Sequence, residues 1–238
     1  MEQKAVYGLF ATKTIMKQIV AIDGPSGAGK STLSRTLARS LNYLHLDTGA
    51  MYRAVALAAI GAGVTLNDPV GLDKLCSVID IKLKDEPDGL VVMLDGVDVT
   101  EQIRTPEISI ASSNVSAVSE VRRHMVRLQR EMGAQGGVIA EGRDVGTVVF
   151  PGTRAKFYID ASLWERARRR HEELKEKGAD DTLEQVMAEI EQRDKNDSAR
   201  SDSPLRIADD AIIVDTTYMT PEEVVKYIAE KVRELEKD

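Results

Sequence analysis

Residues 19–32 read IVAIDGPSGAGKST. Ile19-Val20-Ala21-Ile22 has the length and character of a strand buried on both faces, and Asp23 ends it. Beyond it, Leu33, Leu37 and Leu41 recur at every fourth position, which places them on one face of a helix starting near Lys30. Between strand and helix run Gly24, Pro25, Ser26, Gly27, Ala28, Gly29, Lys30, Ser31 and Thr32, in which Gly24, Gly29, Lys30 and Ser31 satisfy the Walker A spacing. Three devices coincide in such a segment. Backbone N–H groups of a glycine-relaxed loop converge on phosphate oxygens, the helix N-terminus adds its dipole, and Lys30 contributes a point charge between β- and γ-phosphates. The Ser31 hydroxyl is suited to Mg²⁺. A glycine turn with a chance lysine would lack the strand before and the helix after.

The rest of the chain repeats the alternation. Short apolar runs at Leu44–Leu46, Gly137–Ala140, Lys156–Ile159 and Ala211–Val214 end in Asp47, Glu141, Asp160 and Asp215, and helical patterns separate them. An alanine-rich helix is expected from Ala50 to about Ile60, and the segment from Pro106 to Met132 reads as helical. Two polar helices are expected at 162–177 and 182–195, and a closing helix opens on the capping box Thr220-Pro221-Glu222-Glu223. Residues 75–105 break the rhythm with alternating runs and turn chemistry, and read as a small antiparallel excursion. The expected architecture is therefore α/β: a P-loop NTPase fold with a parallel sheet flanked by helices, an antiparallel insertion at 75–105 and a helical lid at 162–195.

With 238 residues, 42% of them hydrophobic, the chain can bury a core without disulfides or metal, and one main domain over 16–238 is expected. Residues 1–15 suggest no chemistry and read as an appendage that makes a poor secretory signal. Cys76 is the only cysteine and no apolar run approaches a membrane span, so a cytoplasmic protein without a membrane partner is expected. A net charge of −7 argues against a nucleic-acid surface. Positive charge is instead concentrated, most densely in Arg166–Arg170.

A nucleotide loop leaves two classes open: a switch that uses hydrolysis as a timer, and a kinase that passes the γ-phosphoryl group to a small acceptor. No Asn-Lys-x-Asp guanine reader occurs, and Asp68-Pro-Val-Gly71 follows a helix-terminating loop rather than a strand, so the switch is set aside. A kinase whose acceptor is itself a phosphate needs arginines beyond the loop. Arg53 lies about one and a half turns into the helix after Asp47-Thr48, and Arg143 follows the strand ending at Glu141, where open α/β sheets place their ligand crevice. Arg166, Arg169 and Arg170 share one side of their helix, and a mobile helix pair carrying them would close over the transferring phosphate. Arg168 reads as a surface residue pairing with Glu165 and Glu172.

Together with the loop, Leu46–Arg53, Ile103-Arg104-Thr105, Glu141–Pro151 and Arg193-Asp194 with Asp197 and Arg200 resemble the bacterial cytidylate kinase family of the nucleoside monophosphate kinase group, from about Gln18 to the C-terminus. The resemblance implies transfer of the γ-phosphoryl group of MgATP to CMP or dCMP; a monomer is expected. It implies that Thr48, Tyr52, Arg53 and Arg143 hold the monophosphate, that Ser113, Arg122 and Asp144 meet the cytosine, that Arg193 and Asp197 meet the sugar, and that Arg200 lies near the phosphates. Lys30, Arg143, Arg166, Arg169 and Arg170 would then carry catalysis, and Ser31 the metal. Glu141 stands where relatives often have aspartate and would support Mg²⁺ through water. Asp23, Asp47 and Asp160 are expected to end strands or cap turns.

Overall fold

A computed structural model describes residues 17–86, 89–176 and 178–237; the appendage expected at residues 1–15 lies outside them. The chain runs β1 (Ile19–Asp23), α1 (Lys30–Leu41), β2 (Leu44–Asp47), α2 (Thr48–Gly61), α3 (Pro69–Val78), β3 (Ile81–Glu86), β4 (Gly89–Leu94) and β5 (Val97–Asp98). It continues through α4 (Pro106–Val115), α5 (Ser119–Gly133), β6 (Val138–Gly142), a π-helical turn at Val145–Val149, β7 (Ala155–Asp160), α6 (Leu163–Glu176), α7 (Leu183–Ser198), β8 (Ile212–Asp215) and α8 (Pro221–Leu235).

Five strands form one parallel sheet in the order β2-β6-β1-β7-β8, with β1 at its centre. The period-2 alternation of β1 shows why both faces must be covered. Ala21 joins Leu46 and Ala140 in a core under α2 to α5, while Val20 and Ile22 join Ile139, Phe157 and Ile159 in a second core under α1 and α8. Leu33 and Leu37 of α1 and Ile228 and Val232 of α8 close that second core, as their helical spacing predicts. Because the strands are parallel, all five carboxyl ends meet at one edge, where loops from separate parts of the sequence come together. β3, β4 and β5 make the expected antiparallel excursion, with Ile81 opposite Leu94 and Met93 opposite Asp98. Among the described residues, no helix is long and apolar enough to cross a membrane.

Two expectations are corrected. The segment read as helical over 106–132 is not helical throughout: it forms two helices, broken at Ser116–Val118, where Val118 is extended (φ −85, ψ 120). The buried positions Ile108, Ser112 and Val115 continue in phase into Arg122 and Met125, so periodicity alone does not reveal the break. The excursion begins later than residue 75, because α3 runs to Val78. The Asp68 carboxylate caps it by accepting the Val70 N–H, and Pro69 takes the first helical position.

Candidate functional site

Where β1 runs out, the phosphate loop turns so tightly that a side chain at Gly24 (φ 150) would collide with the Ile159 carbonyl of neighbouring β7. Asp23, the last residue of β1, caps the π-helical turn. Its carboxylate accepts the Val145 and Gly146 N–H groups at 2.8 and 2.7 Å, and burial pushes its pKa up to about 6. Lys30 is buried and donates to the Pro25 carbonyl at 2.6 Å. Burial first, and the Arg143 guanidinium second, hold its ammonium well below the usual lysine range.

Beside Lys30, the Ser31 hydroxyl donates to Glu141 Oε2 at 2.8 Å. The other carboxylate oxygen, Oε1, lies 2.9 Å from His45 Nε2, and the Glu141 carbonyl accepts the Thr48 hydroxyl at 2.7 Å. Two residues from β2 and the start of α2 thus fix the end of β6. The extra methylene that distinguishes Glu141 from aspartate is accommodated by the His45 contact, and a hydroxyl and a carboxylate stand together facing the loop. Such an oxygen pair fits Mg²⁺, a hard cation that keeps several waters.

Across the cleft, the Arg53 guanidinium donates to Asp47 at 3.0 Å, and Arg143 Nε donates to Asp197 Oδ2 at 2.8 Å. Arg200 donates to the other Asp197 oxygen and, at 2.9 Å, to the Ser116 hydroxyl, so the break between α4 and α5 supplies a wall of the site. Among the described residues, the buried Arg193 Nε has no hydrogen-bond partner. Burial and the neighbouring Arg143 push the Arg193 pKa down to about 10. Burial opposes ionisation of Asp197, but the guanidiniums of Arg143, Arg200 and Arg193 outweigh it and hold the carboxyl below its ordinary value. Four guanidiniums therefore face two carboxylates, Asp47 and Asp197, and two positive charges are left over. A phosphate monoester dianion would balance them.

Deeper in the same cleft, buried Arg122 and Asp144 form an ion pair. Arg122 also donates to the Ser116 carbonyl at 3.2 Å and stands over the Tyr52 ring, 5.4 Å from its centroid. Ser113 lies on the wall nearby. Acceptor oxygens and guanidinium donors in one desolvated corner can read the hydrogen-bonding edge of a base.

The cleft encloses about 1040 Å³. That is at the upper end of the range usual for small-molecule sites. It brings together residues 26–32, Thr48, Tyr52, Arg53, Ser113, Arg122, Glu141, Arg143, Asp144, Arg193, Asp197 and Arg200, gathered from the whole length of the chain. Gly24 and Pro25 shape the loop from behind and do not line it. Arg169 and Arg170 line it, with Arg169 held by Glu165 and by the Thr216 carbonyl at 2.7 Å, and Arg170 by Glu173 at 2.8 Å. Arg166 does not line it. Its guanidinium donates instead to the Ala161 and Ser26 carbonyls and to Asp194. Arg168 forms the expected pairs with Glu165 and Glu172, yet it also reaches the cleft wall. His45 and Ser116 are site residues that sequence patterns do not mark, because each works through a contact with a residue remote in sequence; Asp194 is marked by its motif, but its contact with Ser26 is not.

A phosphate loop at the end of a central parallel strand, faced by an arginine cluster across a shared cleft, defines a P-loop phosphotransferase. The family model for cytidylate kinase matches residues 20–234, and the chain belongs to that family. It is 53% identical over 216 residues to a cytidylate kinase from Syntrophotalea carbinolica, covering 91% of this chain and 92% of that one. It is 49% identical over 219 residues to a cytidylate kinase from Geobacter sulfurreducens, covering 92% and 94%. Among solved structures, a shikimate kinase from Bacteroides thetaiotaomicron covers 93% of the chain and is itself covered to 99%, at 12% identity and a TM-score of 0.46, too loose a likeness to bear on the acceptor.

Proposed function

We propose that the protein transfers the γ-phosphoryl group of ATP to CMP or dCMP, producing the diphosphate and ADP in the pyrimidine nucleotide metabolism of the cytoplasm. The observation that carries this reading is the pair of excess positive charges held by Arg53, Arg143, Arg193 and Arg200 opposite the phosphate loop, with the buried Arg122–Asp144 pair adjoining them. The phosphate loop takes the donor, the arginine cluster takes the acceptor phosphate, and the Arg122 corner takes the base.

The acceptor oxygen belongs to a phosphate largely ionised at neutral pH, so the reaction needs no general base. What remains is to align acceptor and donor and to neutralise charge. Lys30 gives up the Pro25 carbonyl for the β- and γ-phosphates, and the anion's charge favours its protonated form. Arg143, fixed along one edge by Asp197, orients the acceptor phosphate, while Arg169 and Arg170 on the lid wall face the transferring group. Ser31 and Glu141 would hold Mg²⁺, directly and through water respectively. When bound, the ion supplies charge neutralisation on the β- and γ-phosphates.

Asp144 accounts for base choice. Its carboxylate can accept from the exocyclic amine of cytosine, whereas uracil would present a carbonyl oxygen to it. Calorimetric titration should show CMP and dCMP binding at least about tenfold more tightly than UMP, and Asp144→Ala should erase most of that difference. Equal binding of UMP and CMP to the unaltered protein would sink the assignment of this corner to the base.

A further inference from the structure

Arg166 sits in the first turn of α6 and Asp194 near the end of α7, so both lie where the lid helices meet the body. Between them is the peptide backbone of Ser26. Its N–H donates to Asp194 Oδ1 at 2.8 Å, and its carbonyl accepts from Arg166 Nη1 at 2.8 Å. The same Arg166 nitrogen donates to Asp194 Oδ2 at 2.5 Å, which closes a ring of three partners. Both side chains are largely buried, 10% and 18% exposed, so these charge-assisted bonds are poorly screened.

Packing at the next residue tells the same story independently. A side chain at Gly27 (φ 75) would come within 3.0 Å of the Arg166 carbonyl, 3.1 Å of Arg166 Cβ and 3.2 Å of Ile190 Cδ1. The phosphate loop therefore lies flush against both lid helices. Ile190, Val186 and Ala167 form the small apolar seam that holds those helices together.

We propose that Arg166 and Asp194 are positioning residues that staple the phosphate loop to the root of the lid through the Ser26 peptide. Arg166 then belongs to the fixed base of the lid and not to the part that closes over the γ-phosphate. Arg169 and Arg170, farther along α6, remain the arginines that face it. The staple also accounts for the absence of Arg166 from the cleft wall: both nitrogens that bond are occupied behind the loop.

The test combines two readouts on the full chain. The first is hydrogen exchange at the Ser26 amide in the nucleotide-free protein, which does not depend on what the acceptor is and so stands apart from the kinase reading. Arg166→Ala should accelerate it about tenfold or more, although Arg166 does not itself accept that N–H. The second is a double-mutant cycle on kcat/KM for ATP. Arg166→Ala and Asp194→Ala should each cost about 10- to 100-fold, and the double variant should be no worse than the poorer single. Asp194→Asn, which keeps an acceptor of the same size, carries the same cycle with smaller steps if the alanine variant fails to fold. Unchanged exchange at Ser26 in Arg166→Ala, or losses that multiply in the double variant, would overturn the proposal and return Arg166 to an independent role at the phosphate.

Discussion

Replacing Arg143 by alanine probes the acceptor half of the cleft while leaving the phosphate loop intact. Its Nε is bound to Asp197 Oδ2 at 2.8 Å, and Asp197 is also held by Arg200 and faced by Arg193, so the carboxylate does not become an orphaned buried charge when Arg143 is lost. Three guanidiniums stay in place and the local excess of positive charge falls from two to one. Deleting one partner of a desolvated charge-assisted contact costs about 2 to 5 kcal/mol, or roughly 30-fold to a few thousandfold at about 1.4 kcal/mol per decade. Because three cations persist, the expected loss is in the lower half, about 100-fold in kcat/KM for CMP. The donor half should respond differently. Arg143 is among the groups that depress the Lys30 pKa, so its removal leaves ATP binding unchanged or slightly stronger, within about threefold. Arg143→Lys restores the charge without the planar fork and should recover only part of the loss. ADP release coupled to a spectrophotometric assay, with CMP varied at saturating ATP, gives the first quantity, and titration with a fluorescent ATP analogue gives the second. A loss below about fivefold for CMP, or an equal loss in ATP affinity, would show that Arg143 does not serve the acceptor.

The other predictions concern the metal side and pH. Glu141→Gln preserves shape but removes the charge beside Ser31, and the Mg²⁺ concentration for half-maximal rate should rise about tenfold while KM for CMP moves less than twofold; a shift in CMP alone would refute the metal-side role. His45→Leu should reproduce part of the Mg²⁺ effect in the unaltered protein, since it frees Glu141 Oε1, and add little in a Glu141→Gln background. For Asp23, raised from 3.8 to about 6 by burial, the fold retains a proton that the unfolded chain has already released between about pH 4 and 6, so this group lowers stability as pH rises through that window. Asp23→Asn cannot ionise, so its unfolding free energy relative to the parent should shift in its favour by up to about 3 kcal/mol between pH 4 and 7, read from urea titrations; a pH-independent difference would mean that Asp23 is not perturbed.

The features most legible from sequence are those in which a local pattern carries its own physics. Ile19–Ile22 and the other short apolar runs announce a covered parallel sheet, and the glycine spacing before Lys30 announces the phosphate loop. Of the acceptor cluster, Arg53 and Arg143 are legible as candidates because they follow strand ends, whereas Arg193 and Arg200 enter only through the family resemblance. The mutual arrangement of the four around Asp197 is not legible, since it joins residues 53, 143, 193 and 200 through the order of strands rather than through neighbours in the chain. The break at Ser116–Val118 escapes periodicity because the buried positions stay in phase across it, yet it delivers the Ser116 carbonyl and hydroxyl to Arg122 and Arg200. Arg166 illustrates the opposite limit. Helical spacing groups it with Arg169 and Arg170, but the spacing does not show that Ser26 and Asp194 lie against its first turn and occupy its guanidinium.

One cleft thus takes two nucleotides, and its acceptor is a cytidine monophosphate. This is tested most directly by measuring ADP release at equal concentrations of CMP, dCMP, UMP, AMP and GMP, with ATP and Mg²⁺ present and a control without any acceptor. Rapid release is expected with CMP or dCMP, weaker release with UMP, and release near background with the purine nucleotides or with no acceptor. Turnover of AMP or GMP without turnover of CMP, or equally fast ATP hydrolysis in the control, would contradict it.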